Sequence, residues 1–291
     1  MAKLTKRAKY NRISLFDVVL SLIMIAFMAC IVLPFVHVIA ISLSDNMAVL
    51  TNQVSFWPVG FTLNTYKQML SQGDFIQAYG VTIFVTVVGT VLSLTITAMC
   101  AYALSRRTMV GHGFFSLMIT ITMFFSGGMI PTYLNINSLG MVDTVWALII
   151  PYVLNTWNMI IMRSFFIAYP QEIIESGQID GLQEAGVFFR LVLPTSKAAL
   201  ATIGLYYAVS FWNAYMPSRM YITSNFHLRP VQHLLQIMID SVSNEDIAEG
   251  EMIAATVRNA SIMIVITPIM CVYPFLQKHF VKGVMVGSVK G

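Results

Sequence analysis

Long apolar runs separated by short polar segments constrain this chain more than any other feature. The first extends from Ile13 to about Leu43, and similar runs recur along the sequence. A helix needs about 20 apolar residues to cross the hydrocarbon core of a bilayer. Only 10% of the residues are charged, against roughly 25% in a typical soluble domain. The sequence therefore predicts an all-α membrane protein.

Six stretches are long and apolar enough to be membrane spans. They are predicted at roughly 15–42, 79–104, 114–134, 143–165, 197–216 and 259–278. The polar segments between them are too short for a separate globular domain, so residues 1–291 are interpreted as one transmembrane domain. The apolar core of a cleavable signal peptide is only about 7–15 residues long, so the first run is interpreted as an uncleaved helix.

The distribution of basic residues predicts the orientation of these spans. Cytoplasmic segments of membrane proteins carry an excess of Lys and Arg. With the N-terminus in the cytoplasm, thirteen of the 17 Lys and Arg residues fall on the cytoplasmic side. Both termini and the segment 166–196 are then cytoplasmic, whereas the segments 44–78 and 217–258 face outwards. The latter contains an amphipathic stretch from Val231 to Ile239.

The polar residues argue against several classes of function. None of the 13 Asp and Glu residues lies at the centre of a predicted span, and intramembrane carboxylates usually mark ion or proton pathways. This absence argues against an ion-coupled secondary transporter, although a transporter whose sodium sites are built from carbonyl groups is still an alternative. Cys30, Cys100 and Cys271 lie in apolar runs without metal-ligand spacing. With no phosphate-binding loop or catalytic set, we expect no metal, no cofactor and no ATPase site on this chain.

The segment from Pro170 to Pro194 is polar for a membrane protein but keeps helical periodicity. Its apolar stripe comprises Leu182, Ala185, Gly186, Phe188, Phe189 and Val192. Asp180 followed by Gln183 fits a capping box and predicts a helix that starts near Gly181. Two short helices at an angle, the second carrying two phenylalanines, would suit a partner's groove. The alternative is an interfacial helix that lies on lipid.

This segment resembles the EAA loop of ABC importer permeases, in which Glu-Ala-Ala is followed by Gly and then by Ile-x-Leu-Pro. Glu175 and Gly181 match the Glu and Gly, and Leu191, Leu193 and Pro194 match the closing residues with Leu in place of Ile. Ser176 and Gly177 replace the two alanines. The resemblance implies that this EAA-type loop, residues 166–196, contains a coupling helix. The implied ATPase-coupling residues are Glu175, Asp180, Gly181, Phe188, Phe189 and Pro194.

The resemblance extends over most of the chain. The stretches 124–134, 200–215, 253–262 and 273–291 are similar to sugar-importer permeases, particularly the LplC/YtcP-like group related to the second permease of the maltose system. It implies the type I ABC permease fold in a bacterial cell membrane. The implied partners are a second permease, two ATPase subunits that bind ATP and Mg, and an extracellular lipid-anchored sugar-binding protein. The C-terminal tail, with Gly287 and Lys290, is expected to contact the ATPases.

Aromatic rings and amides in two predicted spans are candidates for the substrate path. A sugar site needs aromatic faces for stacking and polar groups for hydroxyls. The candidates are Asn155, Trp157, Asn158, Tyr206, Tyr207, Trp212 and Asn213. Interfacial anchoring of the aromatic residues and helix joining by the amides are the alternatives. The EAA-type loop does not identify the solute, so a permease for a non-sugar solute remains open.

Overall fold

The computed structural model describes residues 15–71, 73–242 and 255–271. Within these ranges the chain forms helices and turns without strands. The first part contains α1 (Leu15–Ser42), α2 (Asn46–Leu50) and α3 (Asn64–Ser71). It is followed by α4 (Gly73–Ser105), α5 (His112–Phe124) and α6 (Met129–Ser138). These bounds confirm the predicted all-α class.

The second half begins with two 3₁₀ turns at Val145–Leu148 and Ile150–Tyr152, which precede α7 (Thr156–Ile167). The EAA-type loop holds α8 (Gln171–Ile179), α9 (Glu184–Val187), a π-helical segment (Phe188–Val192) and α10 (Leu193–Thr195). Beyond it lie α11 (Lys197–Asn213), α12 (Met216–Tyr221), a 3₁₀ turn (Phe226–Leu228), α13 (Val231–Val242) and α14 (Ala255–Cys271).

Two helices, α1 and α4, are individually long and apolar enough to cross a membrane. Three further apolar stretches of the described chain are bent pairs of helices, and α14 is a shorter apolar helix. The stretch predicted as one span at 114–134 consists of α5 and α6, which meet at 117° around Gly127 and Gly128. The 3₁₀ turns meet α7 at 48°. Counting each bent pair as one span gives up to five spans within the described residues. Of the last predicted span, 259–278, the part up to Cys271 belongs to α14, and the rest lies outside the described residues.

The described chain divides into two compact units. The first contains residues 15–66 and 255–263, and the second contains 67–242 and 264–271. In the first unit α1 is apolar and exposed along most of its length. The turn after it is fixed where Ser44 accepts a hydrogen bond from the Val59 amide at 3.0 Å. A helix that is apolar all round is suited to lipid or to a partner helix.

The core of the second unit lies where α7 and α11 pack on α4. Gly89 in α4 permits a close approach, because a Cβ atom there would lie 2.8 Å from the Phe211 ring of α11. Small residues allow membrane helices to come this near. The predicted amphipathic stretch from Val231 to Ile239 is helix α13. Its first amide, at Val231, donates to the Thr82 hydroxyl of α4 at 2.9 Å.

Candidate functional site: the EAA-type loop

A glycine turn joins the two helices of the EAA-type loop. The amide of Leu182 donates to the Gly177 carbonyl at 2.9 Å, and the amide of Gly181 donates to the Gln178 carbonyl at 3.0 Å. These two bonds, with Gly181 at φ +85°, form a Schellman motif, the standard glycine-terminated helix end. Glycine reaches this left-handed conformation without a Cβ clash. The sequence therefore sets a sharp turn at Gly181, as predicted.

The predicted capping role of Asp180 is wrong. Asp180 is the C-cap of α8, and α9 begins three residues after Gly181, at Glu184, with Gln183 as its N-cap. The amides of Asp180, Gly181 and Leu182 all donate to carbonyls of α8. Because these amides complete the end of the first helix, they cannot begin the second. A capping-box pattern in the sequence does not reveal that the preceding helix already uses the same residues.

The predicted apolar stripe, which continues into the π-helical segment, does not lie on one face. Adjacent residues of a helix point in different directions, about 100° apart in an α-helix, so Phe188 and Phe189 do not share a face. Phe188 and Val192 are buried at 5% and 0% exposure, whereas Phe189 is 53% exposed. The chain then turns through 82° between Glu184–Thr195 and α11. The predicted bend near Pro194 thus falls directly after α10.

Phe188 is a core residue, and its predicted place as an exposed partner contact is wrong. Its ring lies 4.9 Å from the Tyr102 ring of α4 and 6.4 Å from the Phe166 ring of α7. Aromatic rings at such distances stabilise each other beyond the area they bury. Phe188 therefore fixes the loop to the membrane helices. Phe189, whose ring lies 4.9 Å from that of Phe188, is the exposed ring of the pair.

Gly177, where the family pattern has alanine, packs tightly against the closing part of the loop. A Cβ atom at this position would lie 2.5 Å from Leu191 Cδ1 and 3.5 Å from Leu182 Cδ1. Leu191 is itself another departure from the family pattern. The missing methyl group on α8 therefore leaves room for the δ-methyl of Leu191, and the two departures are complementary.

Charged and polar side chains join the EAA-type loop to the end of α4. The Arg106 guanidinium donates to Gln171 Oε1 at 3.1 Å and lies 3.6 Å from Glu184 Oε1. Glu184 also accepts hydrogen bonds from the Tyr102 hydroxyl and from Gln178 Nε2, each at 3.0 Å. Gln171 and Glu184 are the first residues of α8 and α9, so Arg106 contacts the start of both helices.

The other predicted coupling residues lie on the surface of the loop. Glu175, Asp180, Gly181 and Pro194 are all exposed. With Phe189 they remain available to a partner. The predicted tail contacts, Gly287 and Lys290, lie outside the described residues.

Three of the substrate-path candidates lie together and join helices. The Tyr207 hydroxyl of α11 lies 2.7 Å from the Thr97 hydroxyl of α4 and accepts a hydrogen bond from the Asn155 amide at 3.0 Å. The Asn155 side chain accepts from the Asn158 amide at 3.0 Å and so caps α7. Tyr207 is 2% and Asn158 8% exposed. The geometry corrects the prediction for these two residues, since their burial leaves them no surface for a sugar.

The remaining candidates are dispersed over α7 and α11. Trp157 and Tyr206 are 58% and 40% exposed, and Asn213 is also exposed. Trp212 packs near Tyr79, with ring centroids 6.4 Å apart. Its indole N–H is buried and has no hydrogen-bond partner within the described residues. The structure therefore brings Asn155 and Tyr207 together but does not gather the seven candidates into one site.

The contact between Arg106 and Glu184 was not predicted from the sequence. Arg106 is one of the thirteen basic residues that predict the orientation of the chain. A usable signal was present, because Tyr102 and Arg106 are four residues apart at the end of an apolar helix, a spacing that places side chains on one face. The partner lies 82 residues from Tyr102 along the chain, so the pairing itself needs the fold.

The fold and the EAA-type loop together describe a transmembrane subunit of a solute importer, and comparisons with known proteins identify its family. No protein-family model matches the chain. The polygalacturonan/rhamnogalacturonan transport system permease protein YtcP of Bacillus subtilis is 40% identical over 283 residues, covering 95% of this chain and 99% of that protein. Protein LplC of the same organism is 42% identical over 267 residues, covering 90% of each.

A solved structure agrees with these relatives. A chain in the crystal structure of a bacterial ABC transporter involved in the import of the acidic polysaccharide alginate superposes with a TM-score of 0.85. It is 30% identical, and the match covers 96% of this chain and 100% of that one. The present chain belongs to the permease family of carbohydrate ABC importers. It is thus a multi-pass membrane component of a transport system.

Proposed function

We propose that this chain forms half of the translocation pathway of a binding-protein-dependent oligosaccharide importer and that its EAA-type loop docks on a partner ATPase. One observation carries the docking proposal. The loop holds Phe188 in the core while Phe189 is 53% exposed beside it. An aromatic anchor on a rigid support is the typical centre of a protein interface. Glu175, Asp180, Gly181 and Pro194 form its exposed surroundings.

The partners follow from the same proposal. Two ATPase subunits bind ATP and Mg and supply the energy, and this chain binds no cofactor. A second, homologous permease completes the pathway. Lipid and this second permease cover α1, which is apolar and exposed along most of its length. An extracellular lipid-anchored binding protein delivers the sugar, and the tail with Gly287 and Lys290 reaches the ATPases. This arrangement needs both termini in the cytoplasm.

For the substrate, we propose an oligosaccharide that contains acidic sugar residues. The support is the function of two similar proteins, one a polygalacturonan/rhamnogalacturonan permease and one a chain of an alginate importer. Asn155, Trp157, Tyr206 and Asn213 keep exposed side chains for this path. Uptake of labelled oligogalacturonides by the reconstituted importer, compared with neutral arabino-oligosaccharides, tests the class. Preference for the neutral sugar, or for a non-sugar solute, would contradict it.

Truncation of the exposed ring tests the docking proposal. Phe189→Ala should leave membrane abundance unchanged and weaken association with the ATPase by more than about tenfold, since an anchoring aromatic contributes about 2 kcal/mol or more. Phe61→Ala is the matched control, because Phe61 is 66% exposed and is predicted to lie on the opposite side of the membrane. Undiminished co-purification of the ATPase with Phe189→Ala would favour the alternative of a lipid-facing helix.

A further inference from the structure

We propose that Arg106 is a positioning residue that clamps the EAA-type loop to α4, so that movement of the loop is transmitted to the transmembrane helices through the Arg106–Glu184 pair. This inference rests on the proposed docking of the loop on an ATPase. The juxtaposition that carries it is a single guanidinium, one residue beyond the end of α4, in contact with the first residues of both α8 and α9.

The Arg106 side chain is held in place for this role. It is only 16% exposed, although the chain around it lies at the surface of the fold. Its two terminal nitrogens are divided between the partners, Nη1 to Gln171 and Nη2 to Glu184. The planar fork of arginine fixes the relative position of two acceptors, which the single ammonium of lysine does not. Arg106 therefore fixes the positions of α8 and α9 relative to each other and to the end of α4.

The Glu184 end of the clamp returns to the same transmembrane helix. Glu184 Oε2 accepts the hydrogen bond of Tyr102, and Tyr102 lies one helical turn before Arg106. Tyr102 in α4 and Arg106 directly after α4 thus hold one carboxylate at the start of α9. Gln178 donates to the other oxygen, Oε1, at 3.0 Å from α8. A displacement of either loop helix is in this way opposed by hydrogen bonds to α4.

Apolar packing by Phe188 also holds the loop to α4, but the two kinds of contact differ mechanically. Burial of apolar area is non-directional, so a ring can slide or tilt in its site while remaining buried. Hydrogen bonds to a charged group have preferred directions and distances. Because α4 packs against both α7 and α11, a movement that the clamp imposes on α4 reaches the core of the second unit as a rigid-body shift.

The clamp also lines an open groove. Met99, Ala103, Arg106, Met109, Glu184 and Phe189 are among the residues that line a cavity of about 400 Å³. The Glu184 side chain is 53% exposed. The ion pair is therefore not enclosed by close packing, and α9 has room to move relative to α4 once the pair is lost.

Substitutions in the complete, reconstituted importer test the clamp. We expect Arg106→Gln to leave complex assembly and ATP hydrolysis largely intact and to lower the amount of sugar transported per ATP by at least about fivefold, the low end of coupling between distant sites. Arg106→Lys should be intermediate. The charge-reversed pair Arg106→Glu with Glu184→Arg should recover part of the ratio. Arg107→Gln is the matched control, because it removes the same charge from an exposed neighbour.

The transport-to-hydrolysis ratio separates transmission from mere stability, because a loss of folded protein lowers both activities together. A ratio for Arg106→Gln equal to that of Arg107→Gln overturns the proposal. So does loss of the ATPase from the Arg106→Gln complex, since the clamp would then serve docking itself. Failure of the docking proposal is recognised by a different measurement. In that case the Phe189→Ala importer would retain the ATPase, whatever the transport-to-hydrolysis ratio of Arg106→Gln.

Discussion

Gly181 is the residue whose backbone most clearly shapes the EAA-type loop. Its φ of +85° is strained for any L-residue, yet a Cβ atom there would have no neighbour within 4 Å. Gly181→Ala should therefore destabilise the turn through the backbone alone, by about 1 kcal/mol. Gly181→Asn is the control, because asparagine tolerates this conformation better. Limited proteolysis between α8 and α9 measures the difference, and equal cleavage of both variants would contradict it.

Gly177 and Leu191 provide a test of complementary packing. Alanine has an intrinsic helix advantage of about 1 kcal/mol over glycine, but the added Cβ would lie 2.5 Å from Leu191 Cδ1. Gly177→Ala should thus stabilise the protein less in the native chain than in a Leu191→Ala background. Thermal unfolding of the four members of this double-mutant cycle gives the coupling. Additive effects would mean that Leu191 shifts aside without cost.

His233 makes the region around α13 sensitive to pH. It is 5% exposed, and its Nδ1 lies 2.8 Å from the Ser218 hydroxyl. Burial, with added repulsion from Arg229 and Arg219, lowers the pKa of His233 from its usual 6.5 to about 4. The folded state therefore disfavours protonation. The stability that the neutral ring contributes is present above the ordinary pKa and is lost as the pH falls from about 6.5 towards 4.

A change from about pH 7 to about pH 5 should accordingly destabilise the fold by about 2 kcal/mol through His233. His233→Gln should remove that part of the pH dependence. The exposed His227 offers the control, because His227→Gln leaves the buried ring in place. The midpoint of thermal unfolding of the purified protein at the two pH values measures the effect. An unchanged pH dependence in His233→Gln would show that another group is responsible.

At the scale of elements, the Tyr207 hydroxyl joins α4, α7 and α11. Tyr207→Phe should lower the free energy of unfolding by about 1–2 kcal/mol, because it leaves the Asn155 amide without this acceptor. The KM for the sugar should change little, since the ring is buried. A raised KM with unchanged stability for Tyr207→Phe would restore this residue to the substrate path.

The sequence predicted some of these elements well for a clear physical reason. The bounds of α1 coincide with the predicted span 15–42, and α4 contains the predicted span 79–104. An uninterrupted apolar run of this length in lipid must satisfy its own backbone hydrogen bonds, and a helix does so. The break between α5 and α6 was not predicted, although Ser126, Gly127 and Gly128 are a turn signal within the stretch 114–134. Gly128 adopts φ +85° at this bend.

The candidate site was predicted in position but not in detail. Gly181 and its turn follow from local chemistry, whereas the burial of Phe188 depends on its packing against Tyr102 and Phe166, which are distant in the sequence. Arg106 and Arg163 illustrate the same limit. Both were recognised only as topology signals, but Arg106 bonds to the loop and Arg163 Nε donates to the Leu104 carbonyl at 2.8 Å. Such contacts join residues that are far apart in sequence.

At the scale of the whole molecule, the orientation across the membrane connects the docking loop to the ATPases. The 17 Lys and Arg residues divide thirteen to four in favour of cytoplasmic termini, and this remains a prediction. In a variant without Cys30, Cys100 and Cys271, single cysteines at Asn64 and Glu184 sample the two sides; both native residues are exposed. A membrane-impermeant thiol reagent should modify the cysteine at 64 in sealed cells but should reach the one at 184 only after permeabilisation. Modification at 184 in sealed cells would place the EAA-type loop outside, beyond reach of any cytoplasmic ATPase, and would refute the proposed coupling together with the topology.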